Sequence, residues 1–303
     1  LDVYMPHMTG LELLQELQKS KISASVLVAS TTTKEGARET LLALEYGALD
    51  FIQKPENVID ARDQSFQKRF LELLEIVAKA RRRSIARPAE RIEPAVSPLP
   101  PLRRRPLTTA SGRKIVAIAS STGGPKALHE VIPRLPANLK APVVLVQHMP
   151  KGFTKSLAER LNEISTLQVK EAENGDQLED GHVYVAQGGL HMKIVRKDAR
   201  AYIQCSDEAA REGVKPCANY MYESLQDSIY DEIICVVLTG MGGDGTAGIR
   251  NLESQKRVRV IAQNEETCAV YGMPKSIATA GLVDTVVPIE KVAEEIIKNV
   301  GVR

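Results

Sequence analysis

The chain has 303 residues, 43% of them hydrophobic and 26% charged, with 40 Lys and Arg against 38 Asp and Glu. That length predicts two domains at roughly 100–200 residues each, the composition excludes a disordered or collagen-like chain, and the near-even charge gives no electrostatic case for nucleic acid. No run of about 18 apolar residues is present to span a membrane, and four cysteines without CxxC spacing (Cys205, Cys217, Cys235, Cys268) fit reduced cytoplasmic thiols better than a disulfide framework.

The first residues, from Leu1, read as the end of a strand, as expected of a fragment of a longer protein. Thr9 and Glu12 form a capping box ahead of Leu11, Leu14 and Leu17. "SVLVAS" (25–30) predicts a strand, and "KEGARETLLALEYGA" (34–48) a helix ended by Gly47. "LDFIQKP" (49–55) is a strand stopped by Pro55. Phe66, Phe70, Leu74 and Val77 mark a helical stripe running to the arginines at 81–83.

From 81 the character changes. Six of the sixteen prolines and two Arg-Arg-Arg triplets crowd into 81–111. Proline blocks helix and ladder bonds, and little here can pack a core. The segment predicts an extended linker between domains 1–80 and 112–303. Its arginines lack the aromatic or helical support of a nucleic-acid patch.

Beyond the linker, apolar strands alternate with helical patterns: Ile115–Ala119, Val143–Gln147, Val183–Ala186, Ala201–Gln204, Ile233–Thr239, Val258–Ala262 and Val283–Val287. Such near-continuous apolar strands predict an α/β domain with a doubly wound, mainly parallel sheet. The last helix carries Ile289, Val292, Ala293, Ile296 and Val300 at helical spacing.

Three strands end in chemistry-bearing residues: Ser120-Ser121-Thr122-Gly123-Gly124, His148, and "TGMGGDG" with Asp244. In an open parallel sheet, ligands bind outside the carboxyl ends of the strands. If all three strands are central, serine, histidine and aspartate arrive at one edge. That set activates a hydroxyl: His takes the proton and the carboxylate holds the ring. A glycine turn at a helix N-terminus can also cradle phosphate or simply turn the chain. "SSTGGPK" is not GxxxxGK[ST], and "GMGGDG" opens no clear dinucleotide unit. No histidine pair has zinc spacing, so no metal site is expected. His7 and His129 read as surface residues, and His182 and His191 as turn or pocket-lining residues.

"IASSTGGPKAL", "VVLVQHMPKGFTKSLAERLN", "AENGDQLEDGHVYVAQGGLHM", "LTGMGGDGTAGI" and "YGMPKSIATAGLVDTVVP" together resemble the chemotaxis-response-regulator protein-glutamate methylesterases, the CheB family. The resemblance covers nearly all of 112–303. It implies a serine esterase that removes methyl groups from glutamate γ-methyl esters on chemoreceptor helices, and extends to deamidation of receptor glutamines. It places the nucleophile on Ser121 rather than Ser120, the base on His148, the orienting acid on Asp244, and oxyanion-side contacts at Thr122 and Met241. The triad reading expects His148 Nε2 toward Ser121 Oγ and Asp244 at Nδ1. The esterase needs no cofactor. Two alternatives stay open: a phosphate-binding regulatory module without turnover, and a hydrolase of another methyl ester or amide.

The N-terminal part resembles a response-regulator receiver, so a partial flavodoxin-like α/β segment is expected. "LDVYMPHMTG" resembles the phospho-acceptor loop with Asp2 as acceptor, and "FIQKP" the end of the last receiver strand with Lys54 as the phosphate-sensing lysine. Its first half, with the acidic pair that binds Mg²⁺, is absent, so Mg²⁺ is expected only for an intact receiver. The implied partners are methylated chemoreceptor helices and a chemotaxis histidine kinase as phosphodonor, in the cytoplasm. Cys217 and Asn219 stand where many relatives have serine and aspartate.

Overall fold

A computed structural model describes residues 1–31, 33–55, 64–85 and 112–302. It forms two compact units, Leu1–Ser97 and Pro98–Arg303. The predicted linker, apart from 81–85, lies outside the described residues.

In the first unit the elements are α1 (Gly10–Lys19), β1 (Leu27–Ser30), α2 (Lys34–Glu45), β2 (Asp50–Gln53) and α3 (Gln64–Ile85). Thr9 Oγ1 accepts from Glu12 N–H and Glu12 closes back on Thr9 N–H, so the predicted capping box is formed. Gly47, at φ 101°, turns the chain out of α2, a conformation only glycine adopts cheaply. β1 and β2 pair in parallel, and Asp2 bridges to Ala29 on the other side of β1.

Two expectations change on α3. Its buried centre is Leu73, while Phe70, Leu71 and Leu74 are exposed. The helix also runs on through the first arginine triplet to Ile85. Ala and Arg are good helix formers, and no residue between 81 and 85 is a proline.

The second unit is built on β3 (Lys114–Ser120), α4 (Gly124–Val131), β4 (Val143–Gln147), α5 (Phe153–Ile164), β5 (Gln168–Glu171), β6 (His182–Val185), β7 (His191–Lys197), β8 (Arg200–Ser206), α6 (Ala218–Ser224), β9 (Glu232–Val237), α7 (Thr246–Glu253), β10 (Arg257–Gln263), α8 (Met273–Thr279), β11 (Thr285–Val287) and α9 (Ile289–Val300). Among the described residues, seven strands form one sheet in the order β11-β10-β9-β3-β4-β6-β5, every pair parallel. β4 and β9 are buried along their whole lengths and β3 nearly so, which is why their sequences read as unbroken apolar runs.

The predicted strand at Ala201–Gln204 belongs elsewhere. It is part of β8, which pairs antiparallel with β7 in a separate two-stranded sheet. Both strands alternate in burial, the pattern of a ribbon with one covered face. That face joins α6, α7 and α8 in a core over one side of the main sheet, where Met192, Ile194, Ala201 and Ile203 meet Met221, Tyr222, Ile249 and Ile277. β5 and β7 escaped the sequence reading because charged residues interrupt them.

Candidate active site

The sheet reverses its winding between β3 and β9. From β3 the chain moves out through β4; β9 then starts the other wing. A crevice at the carboxyl ends of these strands is where such folds bind ligands. Ser120 is in register with Gln147, and His148 N–H donates to Ser120 O at 3.0 Å. On the other side Ser121 N–H donates to Thr239 O at 3.0 Å. Ser121 and His148 therefore leave the sheet on adjacent strands.

His148 Nε2 lies 2.8 Å from Asp244 Oδ2, with both side chains more than nine-tenths buried. Asp244 is held from α6 as well. Oδ2 accepts Ala218 N–H at 2.6 Å, and Oδ1 accepts Asn219 N–H at 2.9 Å and the Cys217 thiol at 3.1 Å. The N–H groups of a helix's first turn lack intrahelical acceptors, so a carboxylate there fills a structural need. Burial pushes the Asp244 carboxyl up, but the His148 bond and charge, Ala218 N–H and the Cys217 thiol outweigh it and hold it below 3.8. With the folded value lowered, Asp244 contributes stability above about pH 4, and that contribution is lost as pH falls through the lowered value.

The ring is therefore used the other way round from the expectation. Nε2, not Nδ1, faces the carboxylate, because the N-terminus of α6 fixes where that carboxylate sits. An Nε2–H donor leaves the Nδ1 lone pair as the basic site. Among the described residues neither His148 Nδ1 nor Ser121 Oγ has a hydrogen-bond partner. The expected Nε2–Oγ contact is not formed.

Ser120 is a different kind of residue. It is fully buried, and its Oγ donates to Gln147 Oε1 at 2.7 Å. Gln147 Nε2 in turn donates to Ser121 O at 2.9 Å and His148 O at 3.2 Å, tying the two strand ends together. Thr239 does the same on the other flank, its Oγ1 donating to Thr122 O at 3.0 Å and accepting Val270 N–H at 3.0 Å. Neither Gln147 nor Thr239 was singled out from the sequence. The available signal was a polar residue closing an otherwise apolar strand.

The chain turns into α4 through Gly123, at φ 76°. Among the described residues the N–H groups of Thr122 and Met241 donate to no acceptor, and Thr122 Oγ1 is buried without a partner. Free donors at a strand-to-helix turn suit a developing oxyanion.

Gly240 brings the β9 loop against Ser121 at the end of β3. A Cβ there would lie 2.7 Å from Ser121 Cβ and collide with Met273 Sδ. Gly240→Ala should therefore displace Ser121 and lower kcat about 10²-fold, the order expected for a misplacement near 1 Å. Esterase assays beside a thermal melt separate this from unfolding: an active Gly240→Ala protein with kcat within twofold contradicts the packing argument.

Asn219, where many relatives have aspartate, has a structural task. It is fully buried, and Oδ1 accepts both Gly245 N–H at 3.1 Å and Gly248 N–H at 2.7 Å, while Nδ2 donates to Glu212 Oε1 at 2.9 Å. The side chain clamps the glycine loop carrying Asp244. Asn219→Ala leaves two buried donors unmet, at about 1–3 kcal/mol each, so chemical denaturation should show a loss of a few kcal/mol. A midpoint shift worth less than about 1 kcal/mol would contradict the clamp.

His191, expected at a turn or lining a pocket, is a strand residue. It is buried on β7, where Nδ1 accepts Cys217 N–H at 3.2 Å and Nε2 meets Ala209 O at 3.1 Å. Burial pushes its pKa down, which favours the neutral ring this bonding requires. His129, expected to be exposed, is half-buried with Nδ1 2.6 Å from Pro125 O. His7 is exposed, and His182 lies on β6, half-buried, with Nε2 3.0 Å from Gln168 Oε1. Burial pushes the Cys217 thiol up to about 12, so it serves as a donor to Asp244 rather than as a nucleophile.

In the first unit Lys54 Nζ meets Asp2 Oδ2 at 2.6 Å, so the two predicted receiver residues are in contact. Burial raises the Asp2 carboxyl, but Lys54 and Tyr4 N–H outweigh it and hold it below 3.8. Among the described residues no three His, Cys, Asp or Glu side chains gather to hold a metal ion. Asp2 paired with Lys54 is not by itself a magnesium cage.

Residues 116–296 match the family model described as CheB methylesterase, and residues 1–63 that of the response regulator receiver domain. The protein-glutamate methylesterase/protein-glutamine glutaminase of Geobacillus kaustophilus is 42% identical over 310 residues, covering 99% of this chain and 84% of the relative. That of Bacillus subtilis is 38% identical over 299 residues, covering 98% and 83%. The crystal structure of the Thermotoga maritima CheB methylesterase catalytic domain superposes with a TM-score of 0.60 at 42% identity, covering 62% of this chain and 99% of that one. With its serine, histidine and aspartate strand ends inside the matched region, the chain belongs to the CheB methylesterase family.

Proposed function

We propose that this chain is a protein-glutamate methylesterase in which Ser121, His148 and Asp244 carry the reaction. The observation that supports the assignment best is the buried His148–Asp244 pair at 2.8 Å, on strand ends flanking that of Ser121. Ser121 Oγ attacks the γ-methyl ester carbonyl of a chemoreceptor glutamate as its proton passes to His148 Nδ1. The oxyanion takes the N–H groups of Thr122 and Met241. Collapse breaks the bond to methoxide, which leaves as methanol with the proton from Nδ1. Water, deprotonated by Nδ1, then cleaves the glutamyl-serine ester, releasing the glutamate carboxylate and restoring Ser121. Asp244 holds Nε2–H and stabilises the imidazolium. A glutamine amide enters the same cycle with ammonia as leaving group.

The proposed division is a receiver unit at 1–80, with α3 extending to Ile85, then a linker to 111 and the esterase at 112–303. Asp2 is the proposed phospho-acceptor and Lys54 the lysine that senses its phosphate, with a histidine kinase as donor. The proposed setting is the cytoplasm; among the described residues no helix is long and apolar enough to cross a membrane.

The test is methanol release from a methylated receptor cytoplasmic fragment, beside a methyl-esterified unrelated peptide. Methanol from the receptor alone is expected. No methanol from either substrate overturns the esterase reading, and equal release overturns the receptor as substrate.

A further inference from the structure

A cavity opens at the amino ends of the sheet strands, opposite the edge that carries Ser121. It has a volume of about 360 Å³ and lies where the chain enters β3, β4, β6 and β9. Strands rise about 3.3 Å per residue, so seven-residue β3 separates it from Ser121 by roughly 20 Å.

Its charge is unbalanced. Arg113, Lys114, Lys140 and Arg200 line it, against the single carboxylate of Asp180. Lys114 is already spent, with Nζ 2.6 Å from Asn299 O and 3.5 Å from Glu232 Oε2. The other three cations form no side-chain ion pair among the described residues, although the backbone N–H of Arg113 donates to Asp231 Oδ2 at 2.8 Å. Arg113 Nη1 is anchored on Ala199 O at 2.7 Å and Arg200 Nη1 on Gln177 Oε1 at 2.9 Å. These are neutral acceptors that fix the guanidinium groups without cancelling their charge. Lys140 Nζ and the Tyr230 hydroxyl, also on the lining, donate to no described residue.

Two anchored guanidinium groups, a free ammonium and a phenol around one hollow fit a compact dianion. The planar arginine fork matches two phosphate oxygens at once. Leu178 and Ile229 on the lining give a small organic body something to rest against. Three available cations are too few, and stacking aromatics too scarce, for a nucleic-acid track. We propose that this cavity binds a phosphate-type dianion, free or as a small phosphomonoester, at a site separate from the esterase centre.

The test titrates the full chain with inorganic phosphate and with phenyl phosphate at constant ionic strength, read by calorimetry. Arms with Arg200→Gln, Lys140→Gln, Ser121→Ala and Asp2→Asn run in parallel. Arg200 and Lys140 are exposed, so their variants should fold and retain methanol release without phosphate. Saturable binding is expected at a Kd of about 1 mM or below, weakened roughly tenfold or more by Arg200→Gln and unchanged by Ser121→Ala and Asp2→Asn. Tighter phenyl phosphate would identify a monoester as the ligand class; equal affinities would identify inorganic phosphate. Absence of saturable binding overturns the proposal. So does binding that survives Arg200→Gln and Lys140→Gln but is lost with Ser121→Ala or Asp2→Asn, since it would place the anion at the glycine corner or the receiver loop.

Discussion

Ser121→Ala should abolish methanol release, by on the order of 10⁶ in kcat as for other activated-serine nucleophiles, while Ser120→Ala keeps most of it. The two adjacent serines stand in different surroundings. Ser120 is fully buried and spends its hydroxyl on Gln147 Oε1. Ser121 sits one residue past the strand, with its hydroxyl unengaged among the described residues. Losing the Ser120 hydroxyl strands a buried acceptor, worth about 1–3 kcal/mol of stability, so that variant should show its defect in a melt and not in turnover. Side-by-side rates and melting temperatures check this. A dead Ser120→Ala enzyme with native stability would move the nucleophile by one residue.

Asp244→Asn should cost about 10⁴ in kcat, the scale seen when the orienting carboxylate of a serine triad is amidated, with KM little changed. The cause is the donors around the carboxylate. Oδ1 faces Asn219 N–H and the Cys217 thiol, and Oδ2 faces Ala218 N–H. An asparagine keeping its oxygen at the first pair turns its NH₂ toward Ala218 N–H and His148 Nε2. Nε2 must then accept, which drives the ring proton to Nδ1, the nitrogen assigned as base. The imidazolium also loses its counter-charge. Steady-state kinetics across about pH 7 to 9 decide the matter. An Asp244→Asn enzyme within tenfold of the parent anywhere in that range would remove Asp244 from the mechanism.

Much of this site was legible because chain order and sheet chemistry carry it. Buried parallel strands announce themselves as apolar runs, and their carboxyl ends are where Ser121, His148 and Asp244 stand. Capping at Thr9 and Glu12 was equally local, since a helix N-terminus needs acceptors within three residues. Charged residues hid β5 and β7, because a strand with one covered face carries a weaker pattern than one buried on both. The apolar stripe of α3 was misplaced for a related reason: which side a helix buries depends on what lies beside it, and Leu73 found the core where Phe70 and Leu74 did not.

The sequence by itself determined which residues are offered to the chemistry: their types, their order and their places at strand ends, all set by local periodicity and turn residues. Tertiary structure decided how they engage. β9 returns to lie beside β3, so residues more than a hundred positions apart share one hydrogen-bonded register. α6, from a stretch with no catalytic signature, brings Ala218 and Asn219 N–H and the Cys217 thiol to Asp244, and so determines that Nε2 rather than Nδ1 faces the carboxylate. A carboxylate settles where buried donors need an acceptor, and those donors come from a helix that becomes its neighbour only once the chain has folded.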